Sequence, residues 1–453
     1  MRHLQALVVF CGAVMLSAGL PAACALPGAG ANPGADLQAD GQVAADGWRS
    51  VAEAKIERHR KGDFTVTVVD ANGVPLRRTD IDYELDRHHF LFGTAVTGNP
   101  ADEDSEAERR YRRFILEHFN ALVCENAMKW YSVEKEPGRI RFDYADRLMA
   151  FAEEHGLAMR GHTLFWAKPH WVQDWIHELD DDDLRQAIDA HLERMVRRYR
   201  GRLVAWDVCN EMLTGHFFRN RLGEEVHIHM FKRAHELDPH TPLHVNEYDI
   251  LGNDAKTDRY IAMVRRMKQA GAPIHGIGIQ EHAAQRFIDR PRAGQIDGPI
   301  VPQDAWSRLD RIAEAFPELP IQLTEVSSRT PDAQRRAESL EMLFYTAFAH
   351  PQVEGILLWG FWRSRHFAGE EAALIDRNWN LLPAGQRISD LLTRTWHTRG
   401  SASTDRRGAV DIRGFFGTYR IQAATPDGEI LEGRIVLLPD QRQATVVLKP
   451  QSR

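Results

Sequence analysis

The spacing of apolar and polar residues changes character along this chain. Between Asp63 and Leu85 the two kinds alternate by twos: DFTVTVV, a turn signal at Asn72-Gly73, then IDYEL. A period of two belongs to a strand with one buried face, and Asn-Gly between two such runs predicts a β-hairpin. From Phe90 to His397 the rhythm is different. Short apolar runs alternate with charged stretches whose apolar residues recur every three or four positions, as in LRQAIDAHLERMVRRYR and AWSRLDRIAEAF. The runs are FLFGTAV (90–96), ALVCEN (121–126), LAMRGHTLF (157–165), LVAWDVCNE (203–211), PLHVNEYDI (242–250), IHGIGIQEH (274–282), PIQLTEV (320–326) and GILLWGF (355–361). After Ser401 a polar stretch leads back to short alternating segments, with a hairpin turn at Asp427-Gly428.

Eight alternating strand and helix units predict a (β/α)₈ barrel, the TIM-barrel class of α/β fold. A doubly wound open sheet is the rival; the strand count favours the barrel. So do the run ends, where polar residues collect: Glu125-Asn126, His162, Asn210-Glu211, Asn246, Gln280, His282, Glu325 and Trp359. In a barrel the C-terminal ends of the strands converge on one face, where active sites are built. The alternating segments at the two termini have too few strands to bury a face separately. They are expected to combine into one small accessory β module: strands within 51–89 and 401–453, flanking a barrel over 90–400.

Composition adds limits. The chain has 453 residues, 43% hydrophobic and 27% charged, ordinary globular usage. A net charge of −7 argues against a nucleic-acid binder. Cys124 and Cys209 lie in apolar runs and read as buried free thiols rather than a bridge. Residues 1–25 carry Arg2, an apolar run to Leu20 and a small-residue site at Ala23-Cys24-Ala25, the pattern of a secretory signal. Residues 26–50 read as a flexible linker. The expected protein is therefore secreted or periplasmic, a monomer, with no membrane span; a lipidated Cys24 is the weaker alternative.

Glu211 and Glu325 end the fourth and seventh runs, and those strands face each other across a closed barrel. Facing carboxylates suit glycosidic cleavage: one protonated to donate to the leaving oxygen, the other ionised to attack or to activate water. Other motifs fail. There is no G-x-S-x-G elbow and no H-E-x-x-H. His227 and His229 lie two apart in a helical segment, share no face, and read as solvated rather than as metal ligands.

The motifs CENAMKW (124–130), RGHTLFW (160–166), WDVCNEML (206–213), HVNEYD (244–249), GIGIQEH (276–282), PIQLTE (320–325) and EGILLWGFW (354–362) occur in this order. Together they resemble family 10 of the glycoside hydrolases, the endo-β-1,4-xylanases, from about residue 52 onward. The resemblance implies a retaining mechanism on a xylan-like polysaccharide, with no metal and no cofactor. It makes Glu211 the acid/base and Glu325 the nucleophile, with Asn210 on the 2-hydroxyl of the sugar. It implies that Glu125, Asn126, Lys129, His162, Trp166, Gln280, His282 and Trp359 bind substrate.

The sequence also departs from the family pattern. Ser327 stands where an Asp commonly orients the histidine matching His282. Phe367 stands where many members have a second Trp, with Trp362 near enough to substitute. Glu247 replaces a common Asp, and the loop AKPHWVQDW (167–175) differs from commoner forms. Two other readings stay open: a glycosidase for another β-1,4-glycan, and a catalytically weak glycan-binding protein on the same barrel.

Overall fold

The computed structural model describes residues 47–98, 105–287 and 302–451. The expected export signal and the expected linker as far as residue 46 lie outside the described residues. The chain opens with a helix, α1 (Gly47–Arg60), then β1 (Lys61–Val69) and β2 (Asp80–His88). Next come β3 (Leu91–Val96), β4 (Ala121–Cys124), β5 (Ala158–Gly161), β6 (Phe165–Trp166), β7 (Ala205–Asn210), β8 (Leu243–Tyr248), β9 (Gly276–Glu281), β10 (Ile321–Val326) and β11 (Val353–Leu358). The tail supplies β12 (Arg399–Ser403), β13 (Ala409–Phe415), β14 (Gly417–Ala424), β15 (Ile430–Leu437), β16 (Gln443–Val447) and β17 (Lys449–Pro450).

Strands β3 to β11 form one parallel sheet that closes on itself, with β5 and β6 both pairing with β7 as two halves of one barrel position. All eight apolar runs become barrel strands. Strands β7, β9 and β10 are buried at every residue, as expected where helices cover the outside and side chains fill the inside. The covering helices carry the predicted stripe. Helix Asp181–Arg198 buries Leu184, Ile188, Leu192, Met195 and Val196. Its Asp180 cap accepts the Asp183 N–H at 2.8 Å, and three more aspartates in the first turn complement the helix dipole. Cys124 and Cys209 are buried free thiols. No helix among the described residues is long and apolar enough to cross a membrane.

The termini do build shared sheets, but not through the expected hairpin. Asn72-Gly73 makes its turn: Gly73 takes φ 79°, and the Asp70 carboxylate accepts the N–H groups of Asn72 and Val74. Yet β1 and β2 part company there. β1 pairs with β13 and β16, whereas β2 pairs with β12 and β14 in a five-stranded sheet that continues to β15 and β17. The reason is burial. β1 presents a fully buried row, Phe64, Val66 and Val68, and the tail offers it a strand on each side. The turn at Asp427-Gly428 does close a hairpin, β14 with β15.

A second correction concerns α1. It occupies the last residues assigned to the linker and the first assigned to strands. Trp48, Ala52 and Ile56 are four apart, a helical stripe. Ala52 and Ile56 are buried, and Trp48 meets Tyr345 edge-on at 5.7 Å on the helix Ala333–Ala349. The end of α1 is clamped by Arg60. Its guanidinium donates to the carbonyls of Phe348 (2.7 Å), His350 (2.5 Å) and Val353 (2.6 Å), and lies over the Phe90 ring. Burial pulls its pKa down to about 10, so it stays charged at neutral pH.

Arg60→Met should strand three carbonyls between helix Ala333–Ala349 and β11 and cost about 2–4 kcal/mol, read as a lower thermal midpoint. Arg60→Lys should recover only part of the loss, because one ammonium cannot span all three acceptors. A midpoint unchanged in Arg60→Met would contradict the clamp.

Candidate active site

The C-terminal ends of the barrel strands surround a cleft of about 690 Å³. Of the expected residues, Lys129, His162, Trp166, Asn210, Glu211, Gln280, His282, Glu325 and Trp359 line it. Glu125 and Asn126 stand behind Lys129: the Asn126 side-chain oxygen accepts from the Tyr131 hydroxyl (2.7 Å) and from Lys129 (3.3 Å).

Both candidate carboxylates sit where their strands lose regularity. The pairing register slips between Asp207 and Asn210 on β7 and between Leu323 and Glu325 on β10. Such bulges re-aim the side chains that follow. Glu211 has φ 59°, the left-handed region that a non-glycine residue occupies at a cost. It is held there because its N–H donates to the Asn246 carbonyl (2.9 Å) and its own carbonyl accepts the Gly215 N–H.

Glu325 is a buried carboxylate. Burial alone pushes its pKa up, but His162, a hydrogen bond from His282 and the Lys129 charge outweigh this and hold it below the ordinary 4.5. His282 Nε2 lies 3.2 Å from Glu325 Oε2, and Asn246 donates to Oε1 at 3.0 Å. His162 is fixed from behind: its Nδ1–H donates to Asp207 at 2.9 Å, and its Nε2 faces Glu325 at 3.8 Å. Asp207 is paired in turn with the buried Arg160. Burial raises the Asp207 pKa, and Arg160 and His162 bring it down to about 2. A charge chain thus runs from Arg160 through Asp207 and His162 to Glu325.

An amide network joins the two carboxylates. Thr324 donates to Asn246 Oδ1 (2.6 Å), which turns the Asn246 amide N–H₂ toward Glu325 and toward Asn210 Oδ1 (3.0 Å). Gln280 also donates to Asn210 Oδ1 (3.0 Å). The Asn210 amide nitrogen then points to Glu211 Oε1 at 3.4 Å. On the far side of Glu211, Lys168 lies 3.7 Å from Oε2. Beneath it Glu247 is buried and accepts from the Leu213 N–H and the Thr214 hydroxyl. Burial first, and the Glu211 charge second, push the Glu247 carboxyl up to about 7.

Aromatic rings border the cleft. Trp359 is buried in its floor, edge-on to His162 at 5.2 Å. Trp171 stacks on Trp166 at 4.8 Å, and the Lys129 ammonium lies 4.5 Å from the Trp166 ring centre. Phe367 is half-exposed at the rim, 5.4 Å from His282.

Two expectations change and one holds. Trp362 does not substitute at the rim: it is buried, stacked on Trp379, and donates its indole N–H to the Asp376 carbonyl. His227 is not solvated. It is buried on the inner face of helix Glu225–Leu237, where burial lowers its pKa to about 4; His229 does face solvent, paired with Asp189. The Ser327 position does reach the histidine, its hydroxyl lying 3.1 Å from His282 Nδ1. Sequence reasoning passed over Asp207, Arg160, Thr324 and Lys168. The first two sat in the quoted motifs RGHTLFW and WDVCNEML, but a charged pair inside a strand carries no local signal of its partner.

Residues 83–391 match the model of glycosyl hydrolase family 10. The chain is 39% identical over 379 residues to the anti-sigma-I factor RsgI6 of Acetivibrio thermocellus, covering 84% of this chain and 47% of that protein. It is 32% identical over 372 residues to endo-1,4-beta-xylanase 1 of Arabidopsis thaliana, covering 82% of this chain and 37% of that one. Native xylanase 10B from Thermotoga maritima has the same fold, with a TM-score of 0.59 at 27% identity over 68% of this chain and 96% of that one. The chain spans less than half the length of those two curated relatives. With the family match running from β2 through every barrel strand to residue 391, the chain belongs to glycosyl hydrolase family 10.

Proposed function

We propose that this protein hydrolyses internal β-1,4-xylosidic bonds of a xylan with retention of configuration. The observation that carries the reading is a pair of carboxyl groups lining one cleft, one of which, Glu325, is held ionised. Glu325 is kept ionised by His162, His282, Lys129 and Asn246, while Glu211 stands at the side that faces Lys168 and Tyr248. Two carboxyl groups in one cleft can supply a nucleophile and an acid/base.

In the first step Glu325 attacks the anomeric carbon and Glu211 gives its proton to the glycosidic oxygen. The bond to the leaving sugar breaks and an ester to Glu325 forms. In the second step the Glu211 carboxylate takes a proton from water, the water oxygen attacks the same carbon, and the ester bond breaks. Asn210, oriented by Asn246 and Gln280, is the contact for the neighbouring 2-hydroxyl, a bond that strengthens toward the transition state. Trp359, Trp166 and Lys129 hold the sugar to be attacked. The names of the Arabidopsis thaliana and Thermotoga maritima relatives support xylan as the substrate. A glycan-binding protein without turnover is the poorer reading, because such a protein needs neither carboxylate and this one keeps both. The same proposal takes the chain to be exported and monomeric, and to act on a polysaccharide and not on nucleic acid.

Reducing-sugar release across a panel of polysaccharides tests the substrate. Xylan should be cleaved in preference to mixed-linkage glucan and mannan; preference for another β-1,4-glycan would replace xylan in this reading. Glu325→Ala should abolish turnover, with azide restoring it on aryl substrates whose leaving group is good. Glu211→Ala should slow xylan cleavage by roughly 10²–10⁴-fold yet leave the first step on such aryl substrates nearly intact. The opposite pattern would exchange the two roles.

The pH profile tests how Glu325 is kept charged. It must be ionised to attack, and its pKa lies below 4.5, so kcat/KM should fall on acidification only below that value. His282→Gln removes one of the groups that lowers this pKa, so the acid limb should move to higher pH. An unmoved limb would show that His282 does not keep the carboxylate ionised.

A further inference from the structure

The loop after β6 departs from the expected sequence, and it brings a cation to the acid/base. Its backbone is pinned beside Glu211. The Ala167 N–H donates to the Asn210 carbonyl (3.1 Å), and the Phe217 N–H donates to the Ala167 carbonyl (3.0 Å). Gly215 packs so closely on Ala167 that an added Cβ would lie 2.6 Å from the Ala167 carbonyl carbon. Lys168 therefore starts from a fixed point. Its ammonium reaches to 3.7 Å from Glu211 Oε2 and 3.4 Å from the Tyr248 hydroxyl, with the Tyr248 ring centre 5.0 Å away.

This is the one ion pair that Glu211 makes among the described residues. The other charged groups around it make no ion pair with it among the described residues. Lys129 interacts more strongly with Glu325 and Glu125 than with Glu211, Lys256 faces Glu247 and Asp249, and Arg286 is bound to Asp249 at 2.6 Å. Glu325 and His282 belong to the opposite wall, and the carboxyls of Glu247 and Glu281 are buried beneath the cleft. Apart from Lys168, the Glu211 carboxylate meets the Asn210 amide, whose nitrogen lies 3.4 Å from Oε1.

We propose that Lys168 is a positioning residue that acts through Glu211: its charge stabilises the carboxylate that appears on Glu211 when the proton passes to the leaving oxygen. This rests on the acid/base role proposed above. In that step the O–H bond of Glu211 breaks and the O–H bond of the leaving sugar forms. A negative charge develops 3.7 Å from an ammonium that is already in place and needs no rearrangement to meet it. Before the transfer the neutral carboxyl gains little from Lys168; after it, the pair is complete. The interaction therefore strengthens along the reaction, the condition for it to accelerate the step. It matters in proportion to how much proton transfer the leaving group needs.

That proportionality is the test. The kcat/KM of aryl β-xylobiosides reports the first step, and a series of phenols varies the demand for a proton. In Lys168→Met the plot of log kcat/KM against phenol pKa should become steeper. Phenol itself should lose roughly tenfold, the scale of one charge removed from a half-buried pair, while 2,4-dinitrophenol should change little. Lys168→Arg, which keeps the charge, should restore the wild-type slope. A line that drops in parallel, or does not move, would overturn the proposal, because a merely structural role lowers all substrates together. Wild-type protein inactive on the whole series would instead overturn the proposed activity, so the two failures are distinguishable.

Discussion

Keeping one carboxylate charged inside a barrel governs the rest of this site. An ionised carboxyl removed from water is costly unless it is paired and hydrogen-bonded. Glu325 meets that demand from four strands: His162 follows β5, Asn246 lies on β8, His282 follows β9, and Lys129 follows β4. Three of these partners have their own support. Asp207 fixes His162, Thr324 orients Asn246, and Ser327 reaches the far nitrogen of His282. A closed parallel barrel suits this arrangement because it delivers the ends of all its strands to one place, so that a single charge can be held from several directions.

The same constraint explains a polar interior where packing alone would favour leucine and valine. Arg160, Asp207, His244 and Gln322 are buried within the barrel, and Arg160 bonds to the other three. A buried ion pair is weak evidence of stability. Here it anchors a histidine in the correct direction, which serves the site. The accessory module acts at the opposite end of the molecule. Arg60 ties α1 to the carbonyls around the start of β11, and the sheets of the module combine strands from both ends of the chain.

What could be read from the sequence follows from the range of each interaction. Barrel strands and helices are local: their apolar period is written in consecutive residues, and all eight runs became strands. The polar run ends were legible because a barrel assigns every strand end the same address. Pairing between distant strands was not. Asn72-Gly73 fixes a turn but not the strand that β1 will join, and the choice was made by tail residues far away in sequence. The stripe of Trp48, Ala52 and Ile56 was legible in principle, but a Gly- and Ala-rich approach masked it. Trp362 and His227 show the limit in the other direction. Their identities suited the cleft and the surface, but three-dimensional packing placed both in the interior. Lys168 was visible only as a departure; its meaning required the distance to Glu211.

The central claim is that the two carboxyls act as a nucleophile and an acid/base, and not as an acid and a base flanking a water. The anomeric configuration of the first-formed product decides between them. Proton NMR during hydrolysis of a short xylo-oligosaccharide, recorded before mutarotation, should show the β-anomer of the new reducing end appearing first. Initial appearance of the α-anomer would mean that water attacks directly, and would contradict the role assigned to Glu325.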